Sequence, residues 1–345
     1  MLSPDITLLI VPRTVQRQPI PTEHAWLVEV CRRVLIRHGA RAEIASCVAD
    51  HLVLADWSGH PSHGVRLLPH YVERLGSPGL RVDGDASETS STAGVIGLDA
   101  HGLIGYPVLE TALSLGAERA GDLGVSCVGI RNCGHAGRAG SWAELGATLG
   151  FVTLVFLGGS EPPFPVVAAP GARPSMHTNP IAVGVPGVHT DLILDMATSA
   201  IAFGKATIAL ERGEPLPEQS AVDAAGRPTT DPRGLLGGGF LLPAAGHKGF
   251  GLAAAVEALG VAITGASLPG TELAEGVLVV MIRHDALVES TLARQGVESI
   301  EHRIRASSDD GSILAPGDLE RMARAGRTLG VTDEVVAELR ALAGG

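Results

Sequence analysis

His63 stands in the run GHPSHGV, between Ser62 and Gly64. An imidazole titrates near neutral pH, so a histidine fixed on a short loop can act as acid and base there. Ser62 beside it can orient the ring or hold a substrate oxygen. The plainer reading of the same residues is a loop histidine with a structural hydrogen bond. His60 and His63 also form an HxxH pair. With Pro61 between them the two rings do not share a helix face, and Asp56 is the only nearby carboxylate, so no metal is expected.

His135 lies in NCGHAGRAG, Asn132 to Gly140, between an apolar strand-like run and a helical pattern. An anion could rest on that helix start. A dinucleotide fingerprint needs G-x-G-x-x-G, but the glycines here are Gly134, Gly137 and Gly140, and Ala136 occupies the second glycine's place. A tight strand–helix turn accounts for them equally well. Lys248 sits in GHKGFG, after His247 and between glycines, where backbone N–H groups plus one cation would clamp an anion. A solvated lysine at a helix start is the bland alternative. Asp195 ends an apolar strand in LILDMATS, at the strand end where sheets place ligand contacts. Thr198 and Ser199 read as caps of the following helix. Neither a G-x-S-x-G elbow nor a G-x-x-x-x-G-K-[ST] loop occurs, which removes two common enzyme classes.

These residues need a frame, and the composition says which kind. The 345 residues carry 26 basic against 37 acidic side chains, a net charge of −11, which argues against a nucleic-acid binder. With 45% hydrophobic and 18% charged residues the chain is not disordered. Aromatics are 3% while glycines number 45, so the core is aliphatic with many tight turns. Cys31, Cys47, Cys127 and Cys133 make no CxxC pair, as in a reduced, cytoplasmic chain. No run approaches the roughly 18 apolar residues of a membrane helix. The first 21 residues make a poor signal peptide, and Ile6 to Val11 reads as an edge strand or an arm laid on a partner subunit.

Apolar periodicity predicts a helix capped by Thr22 and stopped by Gly39, a second from Ala42 to Ala55, and a third from Leu67 to Leu75. Strands are predicted at Gly94–Leu98, Gly124–Ile130, Gly150–Leu157, Ile181–Val185, Leu192–Asp195 and Val277–Ile282. Helices are predicted at Tyr106–Gly121, Gly140–Leu149, Ile201–Glu211 and Gly249–Ile263, with two more between Pro316 and Ala343, the second opening at Thr332. Residues 283–315 read as a loop-rich excursion. The fold class is α/β.

Seven segments occur in one order: ADWSGHPSHGVRLLPHYVERL, NCGHAGRAG, TNPIAVGVP, LDMATSAIAFGK, AVDAAGRPTTDP, LLPAAGHKGFGLA and APGD, spanning residues 55 to 318. Together they resemble the type II malate/L-lactate dehydrogenase family, whose relatives include ureidoglycolate and sulfolactate dehydrogenases, diketogulonate reductase and cyclic imino-acid reductases. The resemblance implies a non-Rossmann NAD(P)-binding fold with a mixed sheet and a helical N-terminal segment. It implies a homodimer with NAD or NADP near the subunit interface. Residues 1–75 and 310–345 would form a helical substrate and dimer region, and 76–309 an α/β cofactor-binding core. Neither nucleic acid nor membrane is an expected partner.

The resemblance also implies roles. His63 would give a proton to the carbonyl oxygen as hydride reaches the adjoining carbon, assisted by Ser62. Thr178 would touch substrate. His135, Ala136, Gly137, Arg138 and Ala139, then Asp195, Met196 and Ala197, would contact the cofactor. His247 and Lys248 would hold it from the other side, and Gly317 and Asp318 would close the site. Some positions depart from the family. An arginine that clamps a carboxylate usually falls where Leu67 stands, with Arg66 one step earlier and about 100° round a helix. His177 replaces a usual glycine and Pro61 a usual aspartate, and Lys205 stands where imino-acid reductases often have an acid. The leading expectation is an NAD(P)-dependent oxidoreductase of a small 2-hydroxy/2-oxo acid. The alternatives are a cyclic imino-acid (piperideine/pyrroline-2-carboxylate) reductase, or a weakened paralogue that only binds nucleotide.

Overall fold

A computed structural model describes residues 24–75, 80–159, 162–266, 275–326, 329 and 331–344. The expected arm at Ile6–Val11 and the expected cap at Thr22 lie outside them. Helices α1 (Ala25–Arg37) and α2 (Ala42–Trp57) are separated at Gly39, whose φ of +92° suits glycine. Leu27, Val34, Ile44, Val48 and Leu52 are fully buried on these two helices. Two single 3-10 turns, Pro61–His63 and Val65–Leu67, lead into α3 (Leu68–Arg74).

The chain then alternates through β1 (Ser87–Ser91), β2 (Val95–Asp99), α4 (Gly105–Leu123), β3 (Val125–Arg131), α5 (Ala139–Thr148) and β4 (Phe151–Gly159). Short strands β5 (Val166–Val167) and β6 (Pro174–Met176) precede β7 (Ile181–Val185), β8 (Leu192–Met196) and α6 (Phe203–Arg212). After them come β9 (Ala221–Val222), β10 (Pro228–Thr229), α7 (Pro232–Leu236), β11 (Phe240–Leu241) and α8 (His247–Glu257), which runs on into a π-helical turn, Ala258–Ala262. The chain closes with β12 (Glu275–Arg283), α9 (Ser290–Arg305), α10 (Asp318–Ala325) and α11 (Asp333–Ala343).

Seven strands make one mixed sheet in the order β1-β2-β3-β12-β4-β7-β8. In it β2 and β3 run parallel and every other neighbouring pair is antiparallel. The last strand in sequence lies mid-sheet, so Val279 faces Val128 on one side and Val155 on the other. Its two faces are both covered. A Cβ on Gly116 of α4 would meet Met281, whereas one on Gly276 would meet the backbone of Gly260 in the π turn. That double cover explains the unbroken apolar run in β12. A second sheet, β10-β9-β11-β5-β6, holds a small core of Val166, Ile201, Ala206, Leu235 and Leu241.

Two expectations need correction. Residues 290–305, read as loop, are helix α9. The segment STLARQGVESIEHRIR buries a carboxylate instead of an apolar stripe: Glu301 accepts from the Thr190 hydroxyl at 2.6 Å and pairs with Arg305 and Arg321 at 3.5 and 3.6 Å. Apolar periodicity cannot signal a helix held this way. Thr198 and Ser199 do not cap α6. Their hydroxyls bind the carbonyls of Thr178 and Ile201 at 2.8 and 2.7 Å, and Ala202 begins the helix without a side-chain cap. Among the described residues no helix is long and apolar enough to cross a membrane.

Candidate active site

The His63 loop is fastened to the end of α2. Asp56 is buried and accepts the Val65 N–H at 2.7 Å. Burial pushes its carboxyl up to about 7. A Cβ on Gly64 would sit 2.2 Å from that carboxyl, so the residue after His63 must be glycine for Asp56 to reach the backbone. The Ser62 hydroxyl and His63 Nδ1 share a 3.1 Å hydrogen bond. His60 is engaged elsewhere, 2.8 Å from Glu320 on α10. The HxxH pair therefore holds two different partners, and a metal at it gains no support.

The glycine loop after β3 is positioned just as firmly. Asp99 accepts from Arg131 Nε at 2.8 Å and Asn132 Nδ2 at 3.0 Å, and Trp142 Nε1 donates to the Ala136 carbonyl at 2.8 Å. Gly137 has φ +68°, and a Cβ there would strike the Tyr106 ring at 2.6 Å. A Cβ on Gly140 would strike the Asp195 carboxylate at 2.4 Å. These two glycines admit neighbouring side chains at close range. They bring Asp195, from the end of β8, against the first turn of α5, where a carboxylate suits the helix dipole.

Two clefts meet at these loops. One, of about 270 Å³, is lined by Ser62, His63, Arg138, Asp195, Met196 and Lys205 among others. The second, of about 210 Å³, is lined by His63, His135, His177, Asn179 and Glu275 among others. His63, Gly137, Thr178 and Pro180 belong to both walls. The His63 and His135 rings lie almost parallel, 10° apart in plane with centroids at 6.1 Å. Desolvation of the half-buried ring, helped by His60, Arg138 and Lys205 nearby, pushes His63 down to about 4. His135 is open to the cleft, yet the protein packed around its ring desolvates it and, with His63, His70 and Arg74 nearby, pushes it down to about 3. Both imidazoles are neutral at pH 7.

The first cleft has a cationic wall. Arg138 is 2% exposed and pairs with Glu144 at 3.2 Å and Asp195 at 3.5 Å. Its Nε and NH1 are nevertheless buried without a hydrogen-bond partner. Buried guanidinium donors left open are costly and fit an anionic ligand.

The structure thus gathers Ser62, His63, Gly137, Arg138, Ala139, Thr178, Asp195, Met196 and Ala197 on one cleft, with His135 and Ala136 on the adjoining one. His247 and Lys248 are exposed at the start of α8 and line neither cleft, although Ala244 just before them lines the first. Gly317, with φ +96°, caps α10. The Asp318 carboxylate is occupied by Arg305 and Arg321 at 2.8 and 2.6 Å. Arg66 lines neither cleft and is ion-paired with Glu211 on α6. Sequence reasoning gave no role to Tyr71, whose hydroxyl lies 2.5 Å from His135 Nδ1. Only its place eight residues after His63, on the same helical run, could have signalled it.

Comparison with known proteins identifies the family. A family profile described as malate/L-lactate dehydrogenase matches residues 22–340. The L-sulfolactate dehydrogenase of Methanothermobacter thermautotrophicus is 34% identical over 307 residues, 86% of this chain and 87% of that one. The delta(1)-pyrroline-2-carboxylate/delta(1)-piperideine-2-carboxylate reductase of Pseudomonas putida is 36% identical over 303 residues, 84% of this chain and 86% of that one. The crystal structure of the delta1-piperideine-2-carboxylate reductase of Pseudomonas syringae pv. tomato superposes with a TM-score of 0.81 at 30% identity, covering 92% of this chain and 98% of that one. The mixed α/β fold is that of these enzymes, and the chain is an oxidoreductase belonging to the malate/L-lactate dehydrogenase family.

Proposed function

We propose that this protein transfers hydride between NAD or NADP and a small 2-hydroxy/2-oxo acid. One observation carries the reading: two neutral imidazoles, His63 half-buried and His135 open to the cleft, stand parallel where two clefts meet, one of them walled by a buried guanidinium whose Nε and NH1 make no hydrogen bond. Those donors fit an anionic dinucleotide. Arg138, Ala139, Asp195, Met196 and Ala197 would hold it, with His135, Ala136 and Gly137 at its reacting end and His247, Lys248, Gly317 and Asp318 at the rim. Bound, the nicotinamide supplies or accepts the hydride.

The chain's own residues handle the proton. As the carbonyl carbon of a 2-oxo acid gains hydride, its oxygen becomes an alkoxide that needs a proton or a fixed donor. His63 meets that need through Nε2, the ring nitrogen that Ser62 does not engage. In the oxidising direction neutral His63 takes the hydroxyl proton as hydride leaves. His135 and Thr178 hold the substrate's polar atoms.

The proposal includes a homodimer, with residues 1–75 and 310–345 as substrate and dimer region and 76–309 as cofactor core. Leu319 and Met322, one turn apart on α10, are 67% and 59% exposed and suit such an interface. The free cysteines suit a reduced compartment such as the cytoplasm.

A second reading, reduction of a cyclic imino acid, draws on the named activities of the Pseudomonas relatives. Lys205 speaks against it, because a cation beside His63 repels a protonated imine. Nicotinamide absorbance separates the readings: purified protein is given NADH and NADPH with a panel of 2-oxo acids, then with preformed piperideine- and pyrroline-2-carboxylate. Turnover of a 2-oxo acid supports the first reading. Turnover confined to the imines rejects it.

A further inference from the structure

The chain holds 26 cationic side chains, yet only Lys205 and Lys248 are lysines and the other 24 are arginines. Everywhere else arginine serves. Lysine offers what arginine does not: a compact, rotatable point charge on a slim stem. Lys205 lies in the first turn of α6, and Gly204 before it packs against Ser62, where an added Cβ would come 3.1 Å from the serine Cβ. Lys205 thus lines the cleft beside His63. Among the described residues it has no carboxylate partner, whereas Arg138 and His60 on the same wall are paired with Glu144 and Glu320.

The arginine nearest this function in sequence is diverted. Arg66 is held by Glu211, six residues beyond Lys205 and about 9 Å further along the same helix. One helix therefore draws one cation away and offers another to the cleft. We propose that Lys205 is the residue that binds the substrate's carboxylate, in place of an arginine on the His63 loop. This rests on the oxidoreductase reading above, with a 2-oxo or 2-hydroxy acid as substrate. The electrostatics agree: Lys205 is one of the charges that keep His63 neutral, and a bound carboxylate offsets it, so substrate binding itself makes His63 a better proton acceptor.

The test uses the full chain, pyruvate with its neutral amide, and oxamate as an unreactive carboxylate. Lys205→Met should raise the KM for pyruvate about 10- to 100-fold, the loss of one charged hydrogen bond, while the cofactor KM changes less than about twofold. The wild type's preference for pyruvate over pyruvamide should collapse in the variant, and Arg66→Ala should leave it intact. A readout without turnover comes from the two-lysine composition. Amine-directed labelling followed by mass spectrometry reports Lys205 and Lys248 separately, and oxamate should protect Lys205 alone. An unchanged preference in Lys205→Met, or protection of Lys205 by cofactor but not by oxamate, overturns the proposal. If oxamate protects Lys205 while no 2-oxo acid is turned over, the carboxylate site stands and the reaction assignment falls.

Discussion

The Tyr71 hydroxyl donates to Nδ1 of His135 at 2.5 Å, and the direction of that bond is fixed by a neighbour. The Gly137 N–H points at the same nitrogen from 3.3 Å. A backbone N–H can only donate, so Nδ1 is the unprotonated nitrogen and Nε2 carries the hydrogen. Tyr71 in turn lies 3.0 Å from the Tyr106 hydroxyl, which completes its bonding. His135 thereby presents a fixed N–H donor to the second cleft. Tyr71→Phe should release the tautomer and lower kcat/KM about 10- to 100-fold, as when a positioned donor is lost. Cofactor affinity should hold. Nitrogen NMR of the His135 ring checks the cause: one tautomer in the wild type, a mixture in the variant.

His63→Ala should lower kcat by roughly 10²–10⁴-fold in both directions with cofactor affinity nearly kept, since the side chain acts on the proton and not on dinucleotide binding. Steady-state rates alongside cofactor titration by fluorescence decide it. Unchanged turnover rejects His63 as the proton carrier, and a parallel loss of cofactor binding makes it a wall residue.

The pH profile should carry the same signature. A half-buried, desolvated histidine pushed down to about 4 is neutral across the ordinary working range. Oxidation of a 2-hydroxy acid, which needs the neutral base, should therefore keep a flat kcat/KM down to about pH 5 and fall below it. Reduction needs the protonated form, so its kcat/KM should rise about tenfold per unit as pH falls from about 7 to 5. Folding follows too. The unfolded ring protonates near the ordinary histidine value of 6.5 while the folded ring does not, so stability is lost as pH falls from there toward about 4. An activity inflection near the free-histidine value in the ligand-free enzyme contradicts the desolvation of His63.

Much of this was legible because the site rides on elements with strong local signals. The glycine after His63 and the apolar run before Asp195 announced a loop and a strand end. What stayed hidden depends on contacts between distant segments. The bond between Asp56 and the Val65 N–H is set by a turn of unpatterned residues, and Tyr71 meets His135 across 64 positions. The two-residue strands β5, β9, β10 and β11 are too short for alternation to show, and they exist because the second sheet assembles them. Arg66 looked available in sequence, and only the packing of α6 against its loop reveals that Glu211 takes it.

Asp56 invites comparison with the acid of a catalytic triad, but its bond goes to the loop backbone, so it acts on folding and positioning. Its carboxyl is pushed up to about 7 from the ordinary aspartate value of 3.8. Between those values the folded state keeps a proton that the unfolded chain has released, so stability declines as pH rises through that window and stays lower above it. Asp56→Asn keeps an oxygen for the Val65 N–H and cannot ionise. Its melting temperature should vary less with pH and should exceed that of the wild type above about pH 7. Asp56→Ala leaves the Val65 N–H buried and unpaired, which costs about 1–3 kcal/mol at every pH. Thermal melts of the three proteins across pH 5 to 8 make the comparison. Parallel slopes for wild type and Asp56→Asn mean the carboxyl is already ionised in the fold, and the loop is then held by a charge that water reaches.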